Sequence, residues 1–116
     1  THGIHLYPTD IEGFGHPIVE GMSAGAVVVT TDGAPMNELV TAERGVLVDT
    51  TGSEPHLMGR KYRIDPAALE ARIAALIAMP ESEKAALGMQ ARAWYVTNDR
   101  AFRERFTKTI NDIAGA

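Results

Sequence analysis

Three short apolar runs, at 4–7, 27–31 and 46–49, alternate with two segments that carry helix punctuation. This alternation constrains the fold more than any other feature of the chain. The run from Ile4 to Tyr7 is closed by Pro8 and reads as a buried strand. Pro17 suits the first turn of a helix, where its missing N–H costs nothing. Ile18, Val19 and Met22 then share one face, and Gly25 supplies a left-handed C-terminal cap. The run 27–31 is rich in β-branched residues and reads as a second strand. Asp32-Gly33 is a turn, 35–40 a short helix, and 46–49 a third strand. Strand, helix, strand, helix, strand implies parallel strands with helical crossovers, hence an α/β chain.

The remainder reads differently. Residues 50–64 contain Gly52, Ser53, Pro55 and Gly59 without a clear period, and an irregular loop is expected there. Asp65-Pro66 opens a helix as N-cap and first residue, with Leu69, Ile73, Leu76 and Ile77 as its apolar stripe, and Pro80 stops it. A second helix from about Ser82 carries Leu87, Ala91, Trp94 and Tyr95. Asn98-Asp99 is expected to break and recap the chain before a last helix with Phe102, Phe106, Ile110 and Ile113 on one side. Trp94, Tyr95, Phe102 and Phe106 fall on these stripes and are expected in a core.

Composition excludes several classes. At 116 residues the chain is one domain at most, and no apolar run approaches the ~20 residues that cross a bilayer. There is no cysteine, so no disulfide or thiolate metal site. Residues 1–50 hold seven acids (Asp10, Glu12, Glu20, Asp32, Glu38, Glu43 and Asp49) and one base, Arg44. Residues 51–116 hold ten bases and eight acids. An acidic first half argues against nucleic acid, whose phosphates it would repel. His2 and His5 would face opposite sides of a strand, which disfavours a metal pair. The chain has no Asp-x-Asp motif, so a metal is not expected.

The chemistry concentrates in Glu12-Gly13-Phe14-Gly15-His16-Pro17-Ile18-Val19-Glu20. Two carboxylates flank a glycine-rich turn between a strand and a helix. In open α/β sheets, ligands bind outside the carboxyl ends of the strands. Gly13 and Gly15 allow close backbone approach. A helix starting at Pro17 offers amide donors and a partial positive charge, which suits phosphate. Glu20, one turn in, accepts hydrogen bonds only, so the vicinal hydroxyls of a ribose are natural partners, and Glu12 can serve a sugar likewise. The alternative for Glu20 is a helix-dipole partner. For His16 it is an exposed loop residue rather than a donor to phosphate or hydroxyl. Glu38, three residues after Pro35, is read as a dipole partner.

The Glu-x7-Glu spacing with its interior Gly-Phe-Gly-x-Pro continues into Gly21-Met22-Ser23-Ala24-Gly25-Ala26-Val27-Val28-Val29. Asp32-Gly33-Ala34-Pro35-Met36-Asn37-Glu38-Leu39-Val40 and Gly45-Val46-Leu47-Val48 follow in order. Together these segments resemble the retaining glycosyltransferases of family four and its relatives, which have the GT-B fold. The resemblance is good over residues 5–49 and loose over 65–113. His16 departs from it, since an aliphatic residue is common there.

The resemblance implies a partial Rossmann-like sheet with flanking helices and a helical C-terminal tail, the C-terminal part of a nucleotide-sugar-binding domain. It implies that Glu12 contacts the donor sugar, as the catalytic glutamate, and that Glu20 binds the ribose. Backbone amides from Phe14 onward, including Ile18 and Val19, would contact sugar and diphosphate; Pro17 cannot donate. The family's basic diphosphate contacts, an Arg and a Lys, come from an earlier part of the domain, and its acceptor site from a separate N-terminal domain. Neither lies in these residues.

The expected activity is transfer of a hexosyl-type unit from a UDP-, GDP- or ADP-linked sugar to a glycan, lipid or small-molecule acceptor, with retention and without a cofactor. Expected partners are the upstream half of the same protein and, through the Ile4 to Tyr7 strand edge, a second copy. The expected location is cytoplasmic, at the membrane periphery if the upstream half binds there. Two other readings remain open: a GT-B-fold nucleotide-sugar epimerase, and a non-catalytic flavodoxin-like interaction module, for which Asp10 is a poor strand-end aspartate.

Overall fold

The computed structural model of the chain describes residues 3–9, 15–57 and 59–115. Its elements run β1 (Ile4–Tyr7), α1 (His16–Ser23), β2 (Val27–Thr31), α2 (Met36–Leu39), β3 (Val46–Val48), β4 (Thr50–His56), β5 (Gly59–Ile64), α3 (Pro66–Ala78) and α4 (Glu81–Ala114). The chain is α/β, as expected. Strands β1, β2 and β3 lie parallel in that order, and α1 and α2 connect them.

The register pairs Tyr7 with Thr30 and Thr30 with Leu47, while Leu6 pairs with Val29 and Val29 with Val46. Side chains alternate along a strand. Tyr7, Val28 and Leu47 therefore share one face, and they pack on Ile18 and Met22 of α1, Met36 of α2, and Ala91, Trp94 and Tyr95 of α4. Val27, Val29, Val46 and Val48 form the other face and pack on Leu69 and Leu76 of α3 and Leu87 of α4. Covered on both sides, β2 is buried along its whole length. Each buried aliphatic side chain there contributes ~1.5–3 kcal/mol.

Strand β1 departs from the buried strand read in the sequence. It pairs only with β2 among the described residues. His5 and Tyr7 are half-buried, whereas Ile4 is 36% and Leu6 47% exposed. The layer of α3 covers the β2–β3 side of that face and not β1.

Helix α1 ends as expected at glycine. Gly25 has φ 77°, its amide donates to the Met22 carbonyl, and the Ala26 amide donates to the Gly21 carbonyl. This paired arrangement is the Schellman cap. Helix α4 crosses there, with Gly88 against the Gly25 carbonyl and the Arg92 guanidinium donating to the Ser23 carbonyl.

Residues 50–64 are not an irregular loop. β4 and β5 form an antiparallel hairpin in which Thr50 pairs with Ile64, Ser53 with Tyr62 and His56 with Gly59. A register shift between Thr50 and Gly52 accommodates Thr51, whose hydroxyl donates to the Arg63 carbonyl at 3.2 Å. Glu54 faces Lys61 and lies 3.8 Å from Arg63. The hairpin rests on such cross-strand pairs, and Pro55 is tolerated because a two-stranded ribbon has only edge strands.

Asp65 caps α3 by accepting from the Ala67 amide at 3.0 Å. Ile77 is 65% exposed and so leaves the stripe expected of it. Beyond Pro80 there is one helix of 34 residues, not two, about 50 Å long. Asn98 and Asp99 do not break it. Each costs well under ~1 kcal/mol relative to alanine inside a helix, and Asp99 accepts from Arg103 one turn on at 2.9 Å. The C-terminal half of α4 projects from the body, and the radius of gyration is 16.3 Å against the ~13 Å of a compact chain of this length. Phe102 and Phe106 stack at 6.0 Å but are each 57% exposed, so they are not core.

Candidate functional site

Parallel strands place three connections at one end of the sheet. Pro8 and Thr9 leave β1, Asp32-Gly33-Ala34-Pro35 leave β2, and Asp49 leads from β3 into the hairpin. Helices α1 and α2 begin at this same end. The corner is held by backbone and hydroxyl bonds. Thr30 and Thr31, both fully buried, donate through their hydroxyls to the Tyr7 carbonyl at 2.8 Å and the Thr9 carbonyl at 2.6 Å. The Asp32 amide donates to the Val48 carbonyl at 2.9 Å, and Asn37 Nδ2 donates to Asp32 Oδ1 at 3.1 Å. The two threonines fix the exit of β1. Adjacent hydroxyls at the end of an otherwise aliphatic buried run were the available signal.

Gly15 enters α1 at φ 83°, a left-handed conformation that glycine adopts without strain. A Cβ there would also lie 2.7 Å from Leu39 Cδ1, which would have to shift, but it is the conformation that requires glycine. Helix α1 begins at His16, one residue before the expected start, with Pro17 in its first turn and Gly15, which has no side chain to offer, as its N-cap residue. The Val19 amide donates to the Gly15 carbonyl at 3.1 Å and closes the first turn. The amides of His16 and Ile18, ahead of it, form the helix N-terminus. The Ile18 side chain is fully buried in the core, so only its backbone faces this end.

Glu20 is the fifth residue of α1, and the first turn holds no acid. The dipole effect falls off within that turn, which leaves little of the helix-dipole reading. Its carboxylate is 71% exposed and lies 3.7 Å from Nε2 of His16, itself 77% exposed. His16 and Glu20 thus share one open face of α1. Glu38, by contrast, lies in the first turn of α2, as read. Glu12, Gly13 and Phe14 lie outside the described residues, as do Asp10 and His2. Of the nine-residue segment, the structure describes Gly15, His16, Pro17, Ile18, Val19 and Glu20.

Arg44, the one base among the first fifty residues, is committed elsewhere. Its guanidinium donates to the Leu39 carbonyl at 2.8 Å and the Glu38 carbonyl at 3.2 Å, closing the end of α2, and stacks 4.6 Å from the Trp94 ring. Partial burial lowers its pKa from the ordinary value, against the opposing effect of Glu43.

A groove of about 580 Å³ opens at the other end of the sheet, lined by Gly3, Ile4, Val27, Ala85 and Met89 among others. It adjoins the uncovered side of β1 and the amino ends of the strands. Ligands of parallel sheets bind at the carboxyl ends, which makes the Gly15–Glu20 corner, and not the groove, the candidate site. Among the described residues no helix is long and apolar enough to cross a membrane.

No protein-family model matches the sequence, and no curated protein matches it.

Proposed function

We propose that this chain carries part of the donor site of a nucleotide-sugar-dependent glycosyltransferase, in a Rossmann-like domain of the GT-B type. The observation that carries the reading is the geometry of α1. Its N-terminus is entered through a left-handed glycine, which has no side chain to cap it, at the carboxyl end of a parallel sheet, and Glu20 stands exposed one turn later. The motif resemblance over residues 5–49 supports the same assignment.

In this reading the diphosphate lies at the α1 N-terminus, where amide donors and the helix dipole favour an anion. Glu20 accepts from the ribose hydroxyls and Glu12 from those of the sugar. The protein's contribution is to position the donor and stabilise the leaving diphosphate. A hexosyl-type unit passes to a glycan, lipid or small-molecule acceptor with retention, and the upstream half of the protein supplies the acceptor site. No cofactor is required. The enzyme works in the cytoplasm or, through its upstream half, at a membrane surface.

The test is donor binding. Titration with UDP-, GDP- and ADP-sugars should give saturable binding to at least one, weakened by Glu20→Gln with the fold intact. Failure of all three to bind would remove the reading.

A further inference from the structure

On the reading of this site as a nucleotide-sugar site, we infer that the β4–β5 hairpin is its cationic arm, with Arg60 the side chain that contacts the donor diphosphate.

The first ground is charge. A diphosphate brings at least two negative charges to an end of the sheet where Glu20, Asp32 and Asp49 already stand. Residues 1–49 hold seven acids and one base. That base, Arg44, is tied to α2 and Trp94, so the first half offers no cation beyond the helix dipole. The hairpin reverses the balance, with Arg60, Lys61 and Arg63 against Glu54.

The second ground is position. β3 runs parallel to β1, and β4 begins two residues after the last residue of β3. The hairpin therefore rises from the same end of the sheet as the α1 N-terminus. It is also anchored there. The Tyr62 hydroxyl accepts from the Ala34 amide at 3.1 Å, and the Tyr62 ring so closely covers Gly33 that a Cβ would lie 2.7 Å from it. Tyr62 packs against the same cluster as Ile18 of α1 and as Leu39, the residue that closes over Gly15. Hairpin and helix N-terminus are thus joined through one apolar cluster.

The third ground is the pleat. Residues two apart on a strand share a face. Arg60 shares the face of Tyr62, the face turned to the β2–α2 connection, and Ser53 is the cross-strand partner of Tyr62. Arg60 Nε donates to Ser53 Oγ at 2.9 Å, which holds the guanidinium on that side. Arg60 is exposed, and among the described residues no carboxylate pairs with it. Arg63, one position out of phase, lies on the opposite face with Glu54 at 3.8 Å. A guanidinium that stays charged and presents a planar fork of donors is suited to a diphosphate oxygen pair.

The experiment compares UDP, GDP and ADP with their parent nucleosides by calorimetry, on wild type and on Arg60→Gln, Arg60→Lys and Arg63→Gln. Arg60→Gln should lose about tenfold or more in affinity for the diphosphate that binds, as expected for loss of a charge-assisted contact. Nucleoside affinity should hold, Arg60→Lys should recover part of the loss, and Arg63→Gln should bind as wild type. Circular dichroism melts keep a folding defect separate from a lost contact. If wild type binds a diphosphate and Arg60→Gln binds it equally, the hairpin inference is overturned while the donor-site reading stands. Loss confined to binding of anionic phosphatidylserine vesicles, with nucleotide affinity unchanged, overturns it in favour of a membrane surface. Absence of nucleotide binding by wild type removes the donor-site reading and this inference together.

Discussion

Two residue types decide the local geometry of the candidate site: glycine where backbone must bend or approach, and threonine where backbone must be held. Gly15 reads in the sequence as a point of close backbone approach, and the structure adds its left-handed entry into α1. Thr30 and Thr31 were not, because β-branched residues in a strand are expected to pack rather than to donate. Their hydroxyls instead clasp the carbonyls of Tyr7 and Thr9. Thr31→Val keeps the shape and removes the 2.6 Å bond, so stability should fall by about 1 kcal/mol. Urea unfolding measures this, and a midpoint at or above that of wild type would show that the hydroxyl does not hold the β1 exit. Glu20 shows the reverse case. Its place on the helix was readable, but its exposure and its distance from the first turn needed the structure, and these weaken the dipole-partner reading. Glu12, Gly13 and Phe14 stay with the sequence argument alone.

At the scale of elements, local signals served the first fifty residues well. Proline and glycine mark where α1 starts and stops, Asp32-Gly33 marks the turn, and the aliphatic run of β2 has no competing period. The hairpin failed to show because its stability is cross-strand, and Gly52, Ser53 and Pro55 each suggest a loop when read singly. Helix α4 was split at Asn98-Asp99 because both residues favour caps, yet neither cost exceeds what the Asp99–Arg103 pair and the surrounding helix supply. Gly88 in the same helix gives a prediction with a definite sign. On an exposed helix, Gly→Ala would gain up to ~1 kcal/mol. Here the new Cβ would strike the Gly25 carbonyl, the backbone that caps α1. Gly88→Ala should therefore destabilise by ~1–3 kcal/mol. Thermal melts decide it, and an increase in Tm would mean that α4 does not press on that cap.

Across the whole molecule, two apolar surfaces lack cover among the described residues: the Ile4 and Leu6 face of β1, and the Phe102, Phe106, Ile110 and Ile113 stripe of α4. Periodicity revealed the stripe but carries no information on whether a partner meets it, which is why a core was expected there. Among the described residues no strand pairs with the outer edge of β1, and β1 itself has no Lys, Arg, Asp or Glu to deter pairing. We propose that the 116-residue chain on its own self-associates through β1 as its concentration rises, and that Leu6→Lys suppresses this. A monodisperse 12.5 kDa species at high concentration by light scattering would count against it. The central claim concerns the other end of the sheet. Its most direct test is calorimetric titration of the protein with UDP-, GDP- and ADP-glucose, wild type beside Glu20→Gln. The account predicts saturable binding of at least one donor, weakened about tenfold or more by loss of a charge-assisted bond to the ribose. Binding of none, or equal affinity in the two proteins, would contradict it.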